Sequence, residues 1–300
     1  MTSNPVASMV ELADQYKSEF ENGISNLMKH AISFVNLASK AGTYRQFNIF
    51  HQELLKQRDE MMIKIRDTQS VLPDLDTTKL MSAFCWMAIM LLGQSFGAFF
   101  GGILFSPLLG FFVSSSDAVF LAYFILPLII YYFLHLPLEV TAKNDLLRRH
   151  VLFFFAAFEG LLTGYIFSDT NLIGMPPIAA LTPMAIGLIP HFGSSIIDKN
   201  RAKLLCLSVG GGFLLHLALG TIIDLSLPYL LLTGLYGLIG FTILQLYVNN
   251  AEEDLTLTHI HQFSFVCAVM FSQAFIYAIF GFDEKELTDG ASRSFLLSFL

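Results

Sequence analysis

The residues of this chain best placed to do chemistry are a carboxylate and an imidazole, each set in an otherwise apolar run. Glu159 is the only charged residue in "FFFAAFEGLLTGYIF", residues 153–167. His216 is the only titratable residue in "GGGFLLHLALG". An acid or base at the centre of a membrane-crossing helix costs roughly 2.5–3.5 kcal/mol on insertion scales, so such residues face protein or water and mark ion or proton pathways or buried hydrogen bonds. Helical spacing puts Glu159 on a stripe with Ala156, Leu162 and Thr163, beside Gly160 and Gly164. Two readings follow: a pathway residue, or a neutral acid bonding to a neighbouring helix. His216 is the natural buried partner for Glu159, and the two are expected to meet. A lone core histidine with a local partner is the plainer alternative for His216. "HIH" offers His259 and His261, but positions i and i+2 diverge on a helix, so no metal site is expected there. No HExxH, phosphate-loop or GxSxG pattern occurs, and no enzyme or cofactor is expected.

The elements that would position these residues are read from composition. The 300 residues are 54% hydrophobic and only 14% charged, against about 25% charged in soluble domains. Nine of the seventeen Lys and Arg lie between Lys17 and Lys79, and six between Leu80 and Phe282. The pattern predicts an all-α, polytopic membrane protein with a bundle of about seven transmembrane helices and an N-terminal soluble helical extension. The division is 1–78 for a cytoplasmic helical extension, 79–282 for the bundle, and 283–300 for a short C-terminal tail. Apolar spans fall near 80–103, 118–138, 150–167, 172–192, 204–224, 228–248 and 259–281, judged against about 20 residues per crossing. The fourth holds Pro176, Pro177, Pro183 and Pro190 and should be kinked.

Loop charge sets orientation. Lys143, Arg148 and Arg149 follow span two, and Lys199, Arg201 and Lys203 follow span four. The loops after spans one, three and five carry no Lys or Arg. This alternation places the N-terminus in the cytoplasm. The acidic loop "NNAEED" breaks the pattern and leaves open whether the last span crosses or dips and returns. Cys85, Cys206 and Cys267 all sit in apolar runs and read as buried free thiols. Gly97 with Gly101, and Gly160 with Gly164, form GxxxG pairs, while Gly234, Gly237 and Gly240 fall near one face; such faces let helices approach closely.

Ahead of the bundle, Tyr16, Phe20, Ile24, Leu27, Ala31 and Val35 recur at helical spacing, predicting a helix over 8–40. A second helical stretch runs from about Arg45 to Arg66. Their polar faces mix acids and lysines, which favours a hairpin or partner-binding element over an anionic-lipid anchor.

Four segments resemble the Bax inhibitor-1, or transmembrane BAX inhibitor motif, family: "TTKLMSAFCWMAIMLLGQSFGAFF", "LLRRHVLFFFAAFEGLLTGYIFSDTN", "PPIAALTPMAIGLIPHF" and "GLYGLIGFTILQLYVNNAEED". The resemblance covers residues 78–282 and is that of a divergent member. It implies a protein of the endoplasmic reticulum or another internal membrane, acting in apoptosis regulation, calcium homeostasis or ion leak, with calcium or protons as permeant ions and cell-death regulatory proteins as partners. The family's gate aspartate position in the sixth span reads Gln245 here, and the last span holds no acid, so the gate itself is not carried over. Two other functions stay open: a non-conducting scaffold that binds partners through its N-terminal helices, and a secondary transporter with a midplane site at the proline-broken span. The lipid bilayer is the expected surround, and nucleic acid is not an expected partner.

Overall fold

A computed structural model describes residues 43–70, 72, 75–136, 141–172, 174–197, 200–223, 225–250 and 255–283. The expected helix over 8–40 and the expected tail lie outside the described residues. The chain divides into two compact units, with the boundary between Met62 and Ile63.

Apart from one two-residue strand pair, the regular structure among the described residues is helical. Helix α1 spans Thr43–Arg66. Helix α2, Thr77–Phe99, begins at Asp76, whose carboxylate accepts from the backbone N–H groups of Thr78 and Lys79. This cap satisfies two donors that the first turn leaves open. Helix α2 continues into a π-helical segment, Phe100–Leu104. Short α3, Ser106–Phe112, starts with Pro107 in its first turn. Helix α4, Ser115–Phe120, passes through a second π segment, Leu121–Ile125, into α5, Leu126–Leu134. Helix α6 spans Ala142–Ile166 and is capped by Thr141. Then come β1, Thr170–Asn171, and helices α7, Leu181–Phe192, and α8, Ser194–Ile197. Helices α9, Arg201–Ile223, α10, Leu227–Asn249, and α11, Leu255–Phe280, complete the bundle before β2, Phe282–Asp283.

Five of these stretches are long and apolar enough to cross a membrane: Thr77–Leu104, Ser115–Leu134, Arg201–Ile223, Leu227–Asn249 and Leu257–Phe280. The other two expected spans do not qualify. Helix α6 has the length, but its first two turns carry Lys143, Asp145, Arg148 and Arg149. Helix α7 has only 12 residues, because the prolines do more than kink the fourth span. Pro176 and Pro177 sit in a non-helical approach, and the helix opens only at Leu181.

The tightest helix contact joins α2 to α6. A Cβ on Gly97 would strike the carbonyl oxygen of Ala157, and one on Gly101 that of Leu161. Reciprocally, Gly160 faces the oxygen of Gln94 and Gly164 that of Ala98. The contacts rise together along both helices, so the two run parallel. The two GxxxG motifs read from the sequence are thus the two halves of one seam, in which backbone packs on backbone. The third glycine set divides instead. Gly240 packs on Ile186 and Thr182, Gly237 is buried, and Gly234 has nothing near it. Steps of three residues turn the helix face by about 60° each, so Gly234 and Gly240 point about 120° apart.

The strand pair settles how the last helix runs. Thr170 pairs with Asp283 and Asn171 with Phe282, antiparallel. The ends of α6 and α11 therefore lie together, with Phe167 stacked on Tyr277 at 4.7 Å. At the opposite end, His259 near the start of α11 meets Asp145 near the start of α6 at 2.9 Å. Helix α11 is one unbroken helix of 26 residues, about 39 Å long, and it traverses the bundle rather than turning back.

Candidate functional site

The end of the bundle where α2, α6, α9 and α11 begin and α10 finishes carries a layer of buried polar side chains. Its centre is Arg201, the first residue of α9, almost wholly buried. Its Nε and Nη2 donate to Gln245 Oε1 on α10 at 2.9 and 2.6 Å. Its Nη1 donates to Ser70 Oγ at 2.8 Å and lies 3.6 Å from Asp67 Oδ2. Gln245, also fully buried, turns its amide outward from this pair: Nε2 donates to the carbonyls of Ile65 and Asp67 at 3.0 and 2.9 Å. Those carbonyls lie where α1 ends and have no onward helical partner. One turn later on α10, Asn249 donates to the Lys64 carbonyl at 3.0 Å, and Lys64 Nζ donates to Asn250 Oδ1 at 3.1 Å. Residues 64–70 are thereby fastened to α9 and α10 by side chains that read backbone.

Asp67 also organises the turn itself. Its Oδ1 accepts from the backbone N–H groups of Gln69 and Ser70 at 3.3 and 3.0 Å. Hydrogen bonds from Ser70, its hydroxyl first and its backbone N–H second, hold the carboxyl below the ordinary carboxylate value, with Arg201 adding a weaker pull.

A second group adjoins this layer. Asp145 pairs with His259 at 2.9 Å and with Arg149 Nε at 3.0 Å. The Arg149 guanidinium lies 5.5 Å over the Trp86 ring. Gln262 donates to the Ala83 carbonyl at 3.1 Å and sets its Oε1 3.2 Å from His259 Nδ1. His261 points elsewhere, its ring beside Tyr247, so the two histidines diverge as the spacing requires. No cluster of three metal-ligating side chains occurs among the described residues.

The two mid-bundle residues singled out by the sequence do not meet. His216 is fully buried, and its Nε2 lies 2.9 Å from Thr182 Oγ1 on α7. Its carbonyl accepts from Tyr229 Oη at 2.7 Å. Glu159 is equally buried, yet neither carboxyl oxygen has a hydrogen-bond partner among the described residues. Its electrostatic neighbours are Tyr123, in the π segment before α5, and Cys267 on α11. The expected pairing fails because α9, which carries His216, packs on α7 and α10, while α6 packs on α2. Of the three free cysteines, Cys85 and Cys267 are part-buried and Cys206 is exposed on α9, contrary to the expectation that all three are buried.

Sequence reasoning missed the Arg201–Gln245 pair. The signal was present: the middle base of the loop carrying Lys199, Arg201 and Lys203, at the start of one apolar helix, and an amide within the apolar run of the next. Reading Gln245 as a vacated aspartate position hid what the amide does.

Comparison with known proteins gives one match. The family model described as interactor of ZYG-11 matches residues 3–283. No curated protein and no solved structure matches the chain. The match runs through nearly the whole chain, both the region ahead of the bundle and the bundle itself. It overturns the Bax inhibitor-1 resemblance, and with it the expected roles in cell death, calcium homeostasis and ion leak. The segments that carried the resemblance are glycine-aromatic and proline-small runs, which helix packing in any apolar bundle selects.

Proposed function

Because this chain belongs to the ZYG-11 interactor family, we propose that it is a multi-pass membrane protein that binds a ZYG-11 protein through the region ahead of its bundle. In this reading it is a non-catalytic scaffold, and the bundle is an anchor. Seven crossings are counted, with α6 and the short α7 entering the hydrocarbon sheltered by their neighbours. The basic end of the bundle, with Lys79, Lys143, Arg148, Arg149, Arg201 and Lys203, faces the cytoplasm, and α11 delivers the chain beyond residue 283 to the opposite side. The large exposed apolar side chains, including Phe96, Phe111, Phe112, Leu214 and Ile222, support a lipid surround.

One observation carries the scaffold reading. The polar side chains that reach most deeply into this end, Arg201 and Gln245, are spent on holding residues 65–70. A bundle that serves as an anchor needs a firm joint to the segment it presents, and a buried charge is retained where it fixes one geometry. The test is to reconstitute the full chain in nanodiscs and measure binding of purified ZYG-11. Saturable binding is expected, lost when residues 1–62 are removed by a protease site placed before Ile63. Absence of binding by the intact chain would sink the proposal.

A further inference from the structure

Glu159 is fully buried, and neither of its carboxyl oxygens has a hydrogen-bond partner among the described residues. It does not stand alone. The α2–α6 seam sets the backbone of Gln94 against Gly160, the residue after Glu159. Tyr123, in the π segment before α5, is an electrostatic neighbour of Glu159, and so is Cys267 on α11. The Tyr123 ring packs on Phe271, one turn beyond Cys267, with centroids 5.5 Å apart. Gln94 is almost wholly buried. Its Nε2 and the Oη of Tyr123 are, like the Glu159 oxygens, cut off from solvent and unpartnered among the described residues. Thr163, one turn beyond Glu159, gives the carboxyl no donor: its hydroxyl is spent on the carbonyls of Glu159 and Gly160 at 3.0 and 2.9 Å.

Buried polar atoms are ordinarily satisfied, by protein or by bound solvent. The chemistry of these atoms narrows what satisfies them. The unpartnered atom of Gln94 is its nitrogen, which only donates, so the ligand must accept. The Glu159 carboxyl offers oxygens that accept, so the ligand must also donate. The Tyr123 hydroxyl serves either way. A bare cation has nothing with which to accept from the amide. An anion gives the carboxyl oxygens no donor. No cluster of three metal-ligating side chains occurs among the described residues. Water donates and accepts at once, and a buried water makes about three such bonds. Glu159 lies seven residues before Ile166, the last of α6, so about 10 Å of helix separates it from that end, against about 26 Å to Ala142. The shorter route to solvent leads to the end away from the basic residues.

We infer that Gln94, Tyr123 and Glu159 bind water inside the bundle. This hydrated site joins α2, the π segment and α6 through solvent, where no direct side-chain bond joins them. The inference goes beyond the anchoring role and does not depend on the binding of ZYG-11.

The test is a structure of the full chain in nanodiscs at a resolution that shows ordered solvent elsewhere in the bundle. Solvent density is expected within about 2.7–3.2 Å of at least two of the three side chains' unpartnered atoms. A direct bond among the three side chains, or no density between them, would overturn the inference. Thermal midpoints give a second reading. E159Q keeps a donor and an acceptor for water and should melt close to wild type. E159L keeps neither, strands the other two groups and should melt several degrees lower. The variant Q94L/Y123F/E159L leaves no orphaned group and should recover much of that loss. Losses that simply add across the three positions would show that the groups share no ligand, and would overturn the site. The identity of the ligand is read by replacing sodium chloride with choline chloride. An unchanged wild-type midpoint is expected of water, and a fall would overturn the inference in favour of a small cation.

Discussion

The α2–α6 seam and the Arg201–Gln245 joint are both tight and buried, but they are specified in opposite ways. The seam is made by missing side chains. Four glycines on two parallel helices bring backbone against backbone, and nothing polar in the side chains fixes the fit. The joint is made by side chains that reach beyond their own helices, Arg201 to Ser70 and Gln245 to two backbone carbonyls. The seam therefore tolerates no added atom, whereas the joint tolerates no removed one. That difference suits the parts they hold: two helices packed along their length, and a turn fixed to the ends of two others.

The contrast breaks most readily on the seam. Gly160→Leu drives a side chain into the carbonyl of Gln94, which cannot move without moving α2. The expected loss is about 3 kcal/mol or more, measured as a fall in thermal midpoint in detergent. Gly234→Leu is the matched control, since nothing stands within reach of its Cβ. It should shift stability by less than about 0.5 kcal/mol. Equal effects of the two substitutions would dissolve the distinction between a packed glycine and an open one.

At the joint, Arg201→Ala leaves Gln245 Oε1 buried without its donors, at a cost of about 1–3 kcal/mol. Gln245→Glu is the sharper probe. It keeps an acceptor for Arg201 but removes the donor to Ile65 and Asp67. Hydrogen exchange in residues 64–70 should rise in the glutamate variant while α9 and α10 stay protected. If exchange rises equally along α9, the amide holds the bundle and not the turn.

The smallest effect is that of pH on Asp67. Its folded value lies below the unfolded one, so its contribution is complete above about pH 4 and fades only as the pH falls through the lower folded value. Proteolysis within 64–72 should be flat between pH 8 and 5. A rise already at pH 6 would assign the change to another group.

Much of this architecture is legible in the sequence because periodicity and small residues act locally. The GxxxG pairs gave both halves of the α2–α6 seam, and every expected span has a helix within it. What the sequence hides is partnership across distance. Arg201 and Gln245 are 44 positions apart, the Ser70 hydroxyl lies 131 positions from Arg201, and the carbonyls Gln245 holds lie 178 and 180 positions from it. No local pattern encodes which helix will lie beside which, so the expected Glu159–His216 contact failed on packing order alone. The prolines were read correctly as disruptive, but their force was underestimated: Pro176 and Pro177 together with Gly174, at φ 80°, keep that approach out of helix altogether.

The two-residue ribbon between β1 and β2 has a consequence for biogenesis. A ribosome makes Thr170 more than a hundred residues before its partner Asp283. Until that later stretch emerges, the end of α6 waits with its strand edge open, and the early helices must hold a nascent fold that lacks its final tie. A chain stalled within α11 would leave that edge without its partner strand. The ribbon thus ties the end of α6 to the last described residues of the chain to be made.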